Sequence, residues 1–283
     1  GLGGLATGAF GEQPITPAMR NEFNVGLEQA FGSRLVVTGE YFWKFTQGDY
    51  DFDTILNTPL TFPIQWRKSK IDGASVRVNF PLWHGLTAYS VLGHTRSRFF
   101  GPEIGGILFN SPVDAAVFRI DHDQAFEQTT HLQYQFSKNA PWIGFTWTFQ
   151  SGMVAGSVPD LITALGFTGD EQAQMGLFCG NVFASPGSPI RACSGDLGST
   201  RLRIPAPGTS NPDTNPARIA PRHLFDVALG YDNIFHGDRY KWDLQLSAVN
   251  LTNRAELYNF MSTFSGTHLV TPRTYQAQLT FRF

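Results

Sequence analysis

The last ten residues of the chain, 274–283, constrain the fold more than any other stretch, because their side chains alternate without interruption. Thr, Gln and Arg residues separate the apolar positions, which are Tyr275, Ala277, Leu279, Phe281 and Phe283. Successive side chains of a β-strand point to opposite faces, so this period of two predicts a strand with one apolar and one polar face. About ten residues, tilted near 45°, are long enough to cross the hydrocarbon layer of an outer membrane.

The same alternation predicts eight further strands. We expect the nine strands at residues 22–31, 34–45, 74–80, 86–99, 120–136, 142–150, 225–232, 240–251 and 274–283. Connections are short after the first, third, fifth and seventh strands and long after the others. A soluble sandwich or lipocalin would share the alternation, but short periplasmic turns opposite long outside loops are typical of outer-membrane barrels. The longest connection, residues 151–221, is therefore predicted to be an extracellular loop.

Composition agrees with a surface that faces lipid. Charged residues make up 16% of the sequence, whereas a globular protein averages about a quarter. The net charge of −2 provides no basic surface for nucleic acid, so we expect no nucleic-acid partner. The longest charge-free window, Asn139 to Pro159, contains glycine and proline and alternates like a strand, so it does not predict a transmembrane helix.

The number of strands is odd, whereas bacterial single-chain barrels have an even number and normally keep both chain ends in the periplasm. We therefore expect Gly1 to lie in an extracellular loop, and residues 1–283 to be the carboxy-terminal part of a larger barrel. An open nine-stranded sheet would leave two unpaired edges in lipid, so further strands are needed to close it. No signal peptide begins at Gly1, which indicates that an amino-terminal part is missing.

Three features of the sequence carry a resemblance to known families. The aromatic ending resembles the terminal strand that the barrel-assembly machinery of Gram-negative bacteria reads, with Tyr275, Leu279, Phe281 and Phe283 as the assembly signal. The stretch from Ser247 to Asn253, followed by Thr271 to Tyr275, resembles the last hairpin of TonB-dependent receptors. The stretch from Asp121 to Gln124 is similar to the large receptors of this family in acidobacteria.

The resemblance implies an all-β transmembrane barrel of about 22 strands in the outer membrane of a Gram-negative bacterium, of which this chain is the last arc. It implies the import of a scarce solute of the siderophore, glycan or peptide class, driven by TonB through a plug domain. Neither the plug nor the TonB-binding segment is found in this sequence. Two alternatives stay open: a structural barrel that another polypeptide completes in a surface assembly, and a passive porin-like channel.

Cys179 and Cys193 are the two cysteines of the chain, and both lie in the predicted extracellular loop. In the oxidising periplasm they can form a disulfide that closes a loop of 15 residues, which is worth roughly 3 kcal/mol in the chain-entropy model. Two free thiols are the alternative. A metal site is less favoured, since the spacing matches no zinc pattern.

Two groups of polar residues are candidates for contact with a solute. The polar strand faces carry charges of mixed sign that we predict to face the lumen: Arg34, Glu40, Lys44, Arg77, Lys241, Asp243 and Arg282. Mixed signs argue against strong selection of anions or cations. The second connection combines acids and an aromatic ring and forms a possible ligand loop: Asp49, Tyr50, Asp51 and Asp53. Solvated loop tips are commonly charged, which is the simpler interpretation of that group.

Catalysis and metal binding have weak support. Asp121, His122 and Asp123 could suggest a metal site, but adjacent residues on a strand point to opposite faces, so a polar strand end is the better interpretation. Ser247 is the one inward serine that could serve as a nucleophile, and no histidine is clearly paired with it. No Gly-x-Ser-x-Gly or paired-histidine signature occurs. We therefore expect neither an enzyme nor a cofactor.

Overall fold

The computed structural model describes residues 11–54, 60–108, 117–138, 140–156, 160–262 and 266–283, so the predicted position of Gly1 lies outside the described part. Nine long strands form one antiparallel sheet. They are β1 (Met19–Phe31), β2 (Leu35–Thr54), β3 (Thr61–Trp83), β4 (Leu86–Leu108), β5 (Phe126–Gln135), β6 (Trp142–Gln150), β7 (Arg222–Tyr231), β8 (Lys241–Val249) and β9 (Thr274–Arg282). Each strand pairs with the next along the chain, which confirms the predicted nine-stranded antiparallel arc.

The register of this sheet brings the apolar faces of neighbouring strands together. Across the last five strands, Leu132 pairs with Phe145, Phe145 with Val227, Val227 with Ala248 and Ala248 with Tyr275. Because side chains alternate along each strand, every second row across the sheet repeats this apolar composition. The result is a continuous apolar face across these five strands, and their opposite face carries the polar side chains.

Strands β2, β3 and β4 are 20, 23 and 23 residues long, about twice the length of β5 to β9. We expected strand ends near Phe45, Ala74 and Phe99, and these boundaries were wrong. The acidic stretch Asp49–Asp53 is not a loop, because each of its residues pairs with a residue of β3. Gly48 has a φ of 66° and is left out of the ladder, but the pairing continues in the same register from Asp49.

The start of β5 also differs from the expected position near Ile120, since the strand begins at Phe126. A turn precedes it, in which the Asp123 backbone N–H donates to the Ile120 carbonyl at 2.9 Å. The Asp123 side chain is fully buried in this turn, so the polar stretch that we assigned to a strand end is a packed corner.

Short elements cover the end of the sheet that carries the long connections. They include the helices Leu161–Ala164 and Gly169–Met175 and the strands Gly11–Gln13, Val117–Arg119, Leu177–Cys179, Val182–Phe183, Leu197–Ser199, Leu202–Arg203, Arg218–Ile219, Leu257–Ser262 and Gly266–Leu269. We call residues 151–221 together with the hairpin 257–269 the rim unit. The second helix begins with a capping box between Thr168 and Glu171 and ends at Gly176, whose φ is 68°. No helix in the described part has the length and apolarity needed to span a membrane.

The rim unit contains the larger of two hydrophobic clusters. Met175, Leu177, Leu257 and Phe260 are each 0% exposed there. A smaller cluster lies at the same end of β3 and β4 and contains Ile64, which is 2% exposed. Burial of one such large side chain stabilises by about 1.5–3 kcal/mol, so the long connections fold as a packed structure.

Candidate functional site

The polar face of the sheet carries the side chains that we predicted to line a lumen. Lys44 and Glu22 form a cross-strand ion pair of 3.2 Å, and Arg282 binds Asp243 at 2.7 Å. The guanidinium of Arg77 lies 4.9 Å from the centre of the Tyr89 ring. Glu40 pairs with Ser75 in the ladder, and Lys241 pairs with Arg282. Arg34 lies in the turn before β2, 5.7 Å from the Trp83 ring. Whether this face encloses a lumen stays a prediction.

The four residues of the predicted ligand loop divide between the two faces of β2. Asp49 is 6% exposed and accepts hydrogen bonds from Ser69 and from the Tyr50 backbone. Arg20 also lies 3.5 Å from its carboxylate, so Asp49 has structural partners. Tyr50 points to the other face, where its hydroxyl donates to the Thr16 carbonyl at 2.7 Å. Asp51 and Asp53 follow on the same face as Asp49.

The residues around Asp51 form an acidic site at the rim end of β2 to β4. Its carboxylate accepts a hydrogen bond from the Trp66 indole at 3.0 Å. Burial raises the pKa of Asp51, although the bonds from Trp66 and the Phe52 backbone oppose the change. Glu103, paired with Trp66 in the ladder, is 6% exposed. Burial raises the pKa of Glu103 to about 7, and the carboxylates of Asp53 and Asp51 contribute to the rise.

Asp121 and His122 complete the acidic site. The His122 imidazole lies 2.5 Å from Asp121, and the Ser262 hydroxyl donates to the same carboxylate at 2.6 Å. Burial favours neutral Asp121, but the hydrogen bonds from His122 and Ser262 outweigh it and lower the pKa. The hydrogen bond to Asp121 raises the pKa of His122. The site therefore combines an ionised pair with carboxyl groups that burial holds closer to neutrality.

The acidic site can recognise a solute by charge and by hydrogen bonding. Its floor is aromatic, since the rings of Trp66 and Phe118 lie 4.7 Å apart in edge contact. Among the described residues, no group of three or more His, Cys, Asp or Glu side chains is arranged to hold a metal ion. Sequence reasoning singled out Asp51 as a possible ligand contact, interpreted His122 as part of a polar strand end and missed Glu103, which lies on β4. The alternation of Phe62, Ile64 and Trp66 was the signal that could have extended β3 toward the rim, where Trp66 pairs with Glu103.

A second feature, which sequence reasoning missed, is a cleft of about 540 Å³ between β6 to β8 and the rim hairpin. Its polar floor consists of Thr148, Gln150 and Asp226, and the hairpin contributes Tyr258 and His268. A cleft with apolar walls and a few convergent polar groups is the usual form of a small-molecule site. The position of the hairpin could not be read from the sequence, because it depends on packing against residues far away along the chain.

Buried charges fix the rim unit to the nine long strands β1 to β9, which we call the wall. Asp123 is 0% exposed and accepts from Arg218 at 2.5 Å, from Arg119 at 3.2 Å and from the Ser97 backbone at 2.6 Å. Arg222 is 1% exposed and donates to Gln150 at 2.7 Å. Each buried charge has oppositely charged or polar partners, which is what makes its burial tolerable.

The predicted disulfide between Cys179 and Cys193 is confirmed, with a sequence separation of 14 and a Cα separation of 5.7 Å. It holds the strand Leu177–Cys179 beside the strand Leu197–Ser199 within the rim unit. The bond therefore stabilises the rim unit and has no direct contact with the long strands.

The remaining predicted residues lie on the last two strands. Ser247 pairs with Ala228 and Gln276, and within the described part no hydrogen bond joins it to a histidine. On β9 and at its end, the four residues of the predicted assembly signal are exposed on the apolar face: Tyr275, Leu279, Phe281 and Phe283. Whether an assembly machinery recognises these four residues stays a prediction.

Solved structures of outer-membrane receptors share this arrangement of strands. The copper transporter OprC aligns with 95% of this chain and 32% of its own, at 13% identity and a TM-score of 0.53. The FrpB iron transporter of Neisseria meningitidis aligns with 94% of this chain and 31% of its own, at 14% identity and a TM-score of 0.52. The ferric citrate transporter FecA aligns with 92% and 30%, at 13% identity and a TM-score of 0.51.

These neighbours are TonB-dependent outer-membrane receptors, and the likeness confirms that the chain has the fold of an arc of such a barrel. The chain spans about a third of the length of the solved structures that it matches. No protein-family model matches the sequence, and no curated protein matches it.

Proposed function

We propose that the chain, which has the fold of a receptor barrel, forms part of the wall of a TonB-dependent importer in the outer membrane of a Gram-negative bacterium. The observation that carries the proposal is the apolar face that the nine paired strands share toward their short turns, with charged side chains on the opposite face at that level. A water-filled or plugged barrel in lipid needs this division between its two surfaces. Residues 1–283 are then the carboxy-terminal portion of the barrel, with the loop 151–221 outside the cell.

The rim supplies the contacts with the solute in this proposal. The cleft beside Tyr258 and the acidic site around Asp51 both open on the polar face, where a solute would enter. The neighbours are described as transporters of iron, copper and ferric citrate, so one fold serves different cargoes. The siderophore, glycan and peptide classes all fit a cleft that combines aromatic and polar groups.

The wall and the rim contribute differently to import. The rim unit holds its solute contacts in place through the disulfide and the buried charges of Asp123, which preorganises them for binding. The wall keeps lipid away from the solute and provides a paired, rigid enclosure. In this proposal, gating comes from a plug domain outside residues 1–283, and energy comes from TonB, which is a separate protein.

Cysteine labelling tests the orientation of the wall in intact cells. Ser210, in the rim unit, and Ser33, in the turn before β2, are both exposed, and the two native cysteines are already joined. In the full-length protein, a membrane-impermeant maleimide should label Ser210→Cys in intact cells and Ser33→Cys only after the outer membrane is permeabilised. Labelling in the reverse order would contradict the proposed orientation.

Conductance in planar bilayers tests the mode of transport. A plugged importer should stay closed to ions until TonB acts, because its lumen is blocked. A steady conductance of the full-length protein without TonB would instead favour the passive channel. A barrel that copurifies at fixed stoichiometry with a second wall-forming polypeptide would favour the structural alternative.

A further inference from the structure

Charged side chains appear on the outward, apolar face at one level of β3 and β4. The register places Lys70 and Arg98 in the same row as Phe45, and Asp72 and Arg96 in the same row as Trp43. Lys68 follows one row further toward the rim, opposite Phe100. We call this set the basic groove: Lys68, Lys70, Arg96 and Arg98, with Asp72 and the rings of Tyr41, Trp43 and Phe45. All of these residues except Lys68 line a space of about 450 Å³.

The height of the basic groove follows from the length of the strands. Lys70 lies 13 residues before the end of β3 at Trp83, and Arg98 lies 12 residues after the start of β4 at Leu86. About ten tilted residues cross the hydrocarbon layer, so both cations lie just beyond its outer boundary. Closer to the turns, the same face carries apolar residues such as Val76, paired with Leu92. The basic groove is therefore level with the lipid head groups of the outer leaflet.

Ion pairs within the chain neutralise only part of this charge. Arg96 binds Asp72 at 3.0 Å, and the Tyr41 hydroxyl lies 3.4 Å from the same carboxylate. Arg98 binds Asp213 at 3.0 Å, but that carboxylate also binds Arg119. The cross-strand ion pair between Arg96 and Asp72 is a sufficient structural reason for these two charges on the apolar face. It does not explain the two lysines beside them.

Lys68 and Lys70 make no salt bridge with any residue that the structure describes. The Lys70 ammonium lies 5.6 Å from the centre of the Phe45 ring, and the Lys68 ammonium lies 4.5 Å from the Phe100 ring. Contact with an aromatic face orients an ammonium without neutralising its charge. The two lysines thus present positive charge to the head-group layer, where an anion can supply what the protein lacks.

We propose that the basic groove binds the phosphate groups of an anionic glycolipid in the outer leaflet. Lysine binds a phosphate as a point charge, and arginine adds directed hydrogen bonds from its planar guanidinium. The rings of Tyr41 and Trp43 provide the amphipathic surface that is typical of a membrane interface. The inference rests on the membrane orientation of the proposed function, but it does not depend on which solute is imported or on TonB.

Binding of purified lipid A to the full-length protein in detergent tests the proposal. The variant Lys70→Gln removes an exposed cation that has no salt bridge, so folding should be unchanged, as heat-modifiable gel mobility can verify. We expect its affinity for bisphosphorylated lipid A to fall about tenfold, and that of Lys68→Gln/Lys70→Gln to fall further. Arg77→Gln, on the polar face, is the matched control and should bind like the wild type.

Two further probes distinguish a lipid phosphate from free inorganic phosphate as the ligand. Lipid A without phosphates should bind the wild type about as weakly as bisphosphorylated lipid A binds the double variant. Inorganic phosphate at millimolar concentration should compete poorly, because it lacks the acyl chains; strong competition would mean a site for free phosphate and overturn the lipid assignment. Equal binding by wild type and double variant would overturn the proposal, even where cysteine labelling supports the orientation of the wall.

Discussion

Phe145 and Phe260 are the same residue type in two different surroundings. On the wall, Phe145 is 37% exposed on the apolar face, whereas Phe260 in the rim unit is 0% exposed. Charges differ in the same way: Arg282 on β9 is 58% exposed, whereas Asp123 at the rim is fully buried. The wall presents its apolar side chains outward, and the rim unit packs them inward, as a water-soluble domain does.

In the proposed membrane orientation, this difference follows from the solvent around each region, which is lipid for the wall and water for the rim unit. Lipid takes the place of a hydrophobic core for the wall, so its strands need only backbone pairing and a consistent alternation of faces. The rim unit is surrounded by water and must bury its own apolar surface, which requires contacts between distant parts of the chain. Substitutions should therefore act by different rules in the two regions.

The largest expected difference concerns buried and exposed ion pairs. Asp123→Ala should destabilise the rim unit by about 3–5 kcal/mol, because it leaves the buried cations of Arg119 and Arg218 without their shared carboxylate. Asp243→Ala removes an exposed pair with Arg282 and should cost about 1 kcal/mol or less. Hydrogen exchange of the rim peptides in detergent measures the first effect. Equal effects of the two variants would break the comparison.

The disulfide should act on the rim unit alone. Replacement of Cys179 and Cys193 by serine should cost about 3 kcal/mol of stability in the chain-entropy model, since the bond joins two residues with a sequence separation of 14. We expect faster proteolysis within residues 151–221 and unchanged protection of the long strands. Reduction of the wild type should reproduce the effect, and the same treatment of the double variant should add nothing.

The two faces of the wall provide the third test. Val76 points outward and is 41% exposed, whereas the neighbouring Ser75 pairs with Glu40 on the polar face. Val76→Lys should destabilise the barrel by about 2 kcal/mol, at the low end for a cation in lipid because lysine can extend toward the interface. Ser75→Lys should be nearly neutral. Folding titrations of the full-length protein into lipid vesicles measure both, and a greater cost at Ser75 would reverse the assigned faces.

The comparison also explains what the sequence could predict. Nine strands and their faces follow from a period of two, because each wall residue responds to lipid or water at its own position. The rim-side halves of β2 to β4 were missed because the positive φ of Gly48 and the register shifts around Trp66 interrupt the alternation. The rim unit could not be predicted, because contacts such as Arg218 with Asp123 join residues 95 positions apart.

The candidate site was predicted in part for the same reason. Asp51 and His122 stand out as polar residues near strand ends, and the two cysteines were paired correctly. Glu103 and the cleft beside Tyr258 depend on which segments fold over the sheet, so alternation contains no signal for them. Tyr50 was grouped with its acidic neighbours, although a strand places it on the opposite face.

The smallest predicted effect is a pH dependence of the rim that the wall should not share. The folded-state pKa of Glu103 is raised to about 7, so its neutral form favours the folded rim, and this contribution is lost as the pH rises toward and through 7. Hydrogen exchange at the rim ends of β3 and β4, corrected for intrinsic rates, should be slower at pH 5.5 than at pH 8.5. Glu103→Gln should remove this difference, since the glutamine side chain stays neutral.

Glu40→Gln on the wall is the matched control and should keep the difference. The raised pKa of His122 acts in the same direction but on the turn before β5, whose exchange is followed in separate peptides. A pH dependence that persists at β3 and β4 in Glu103→Gln would mean that another group controls the rim.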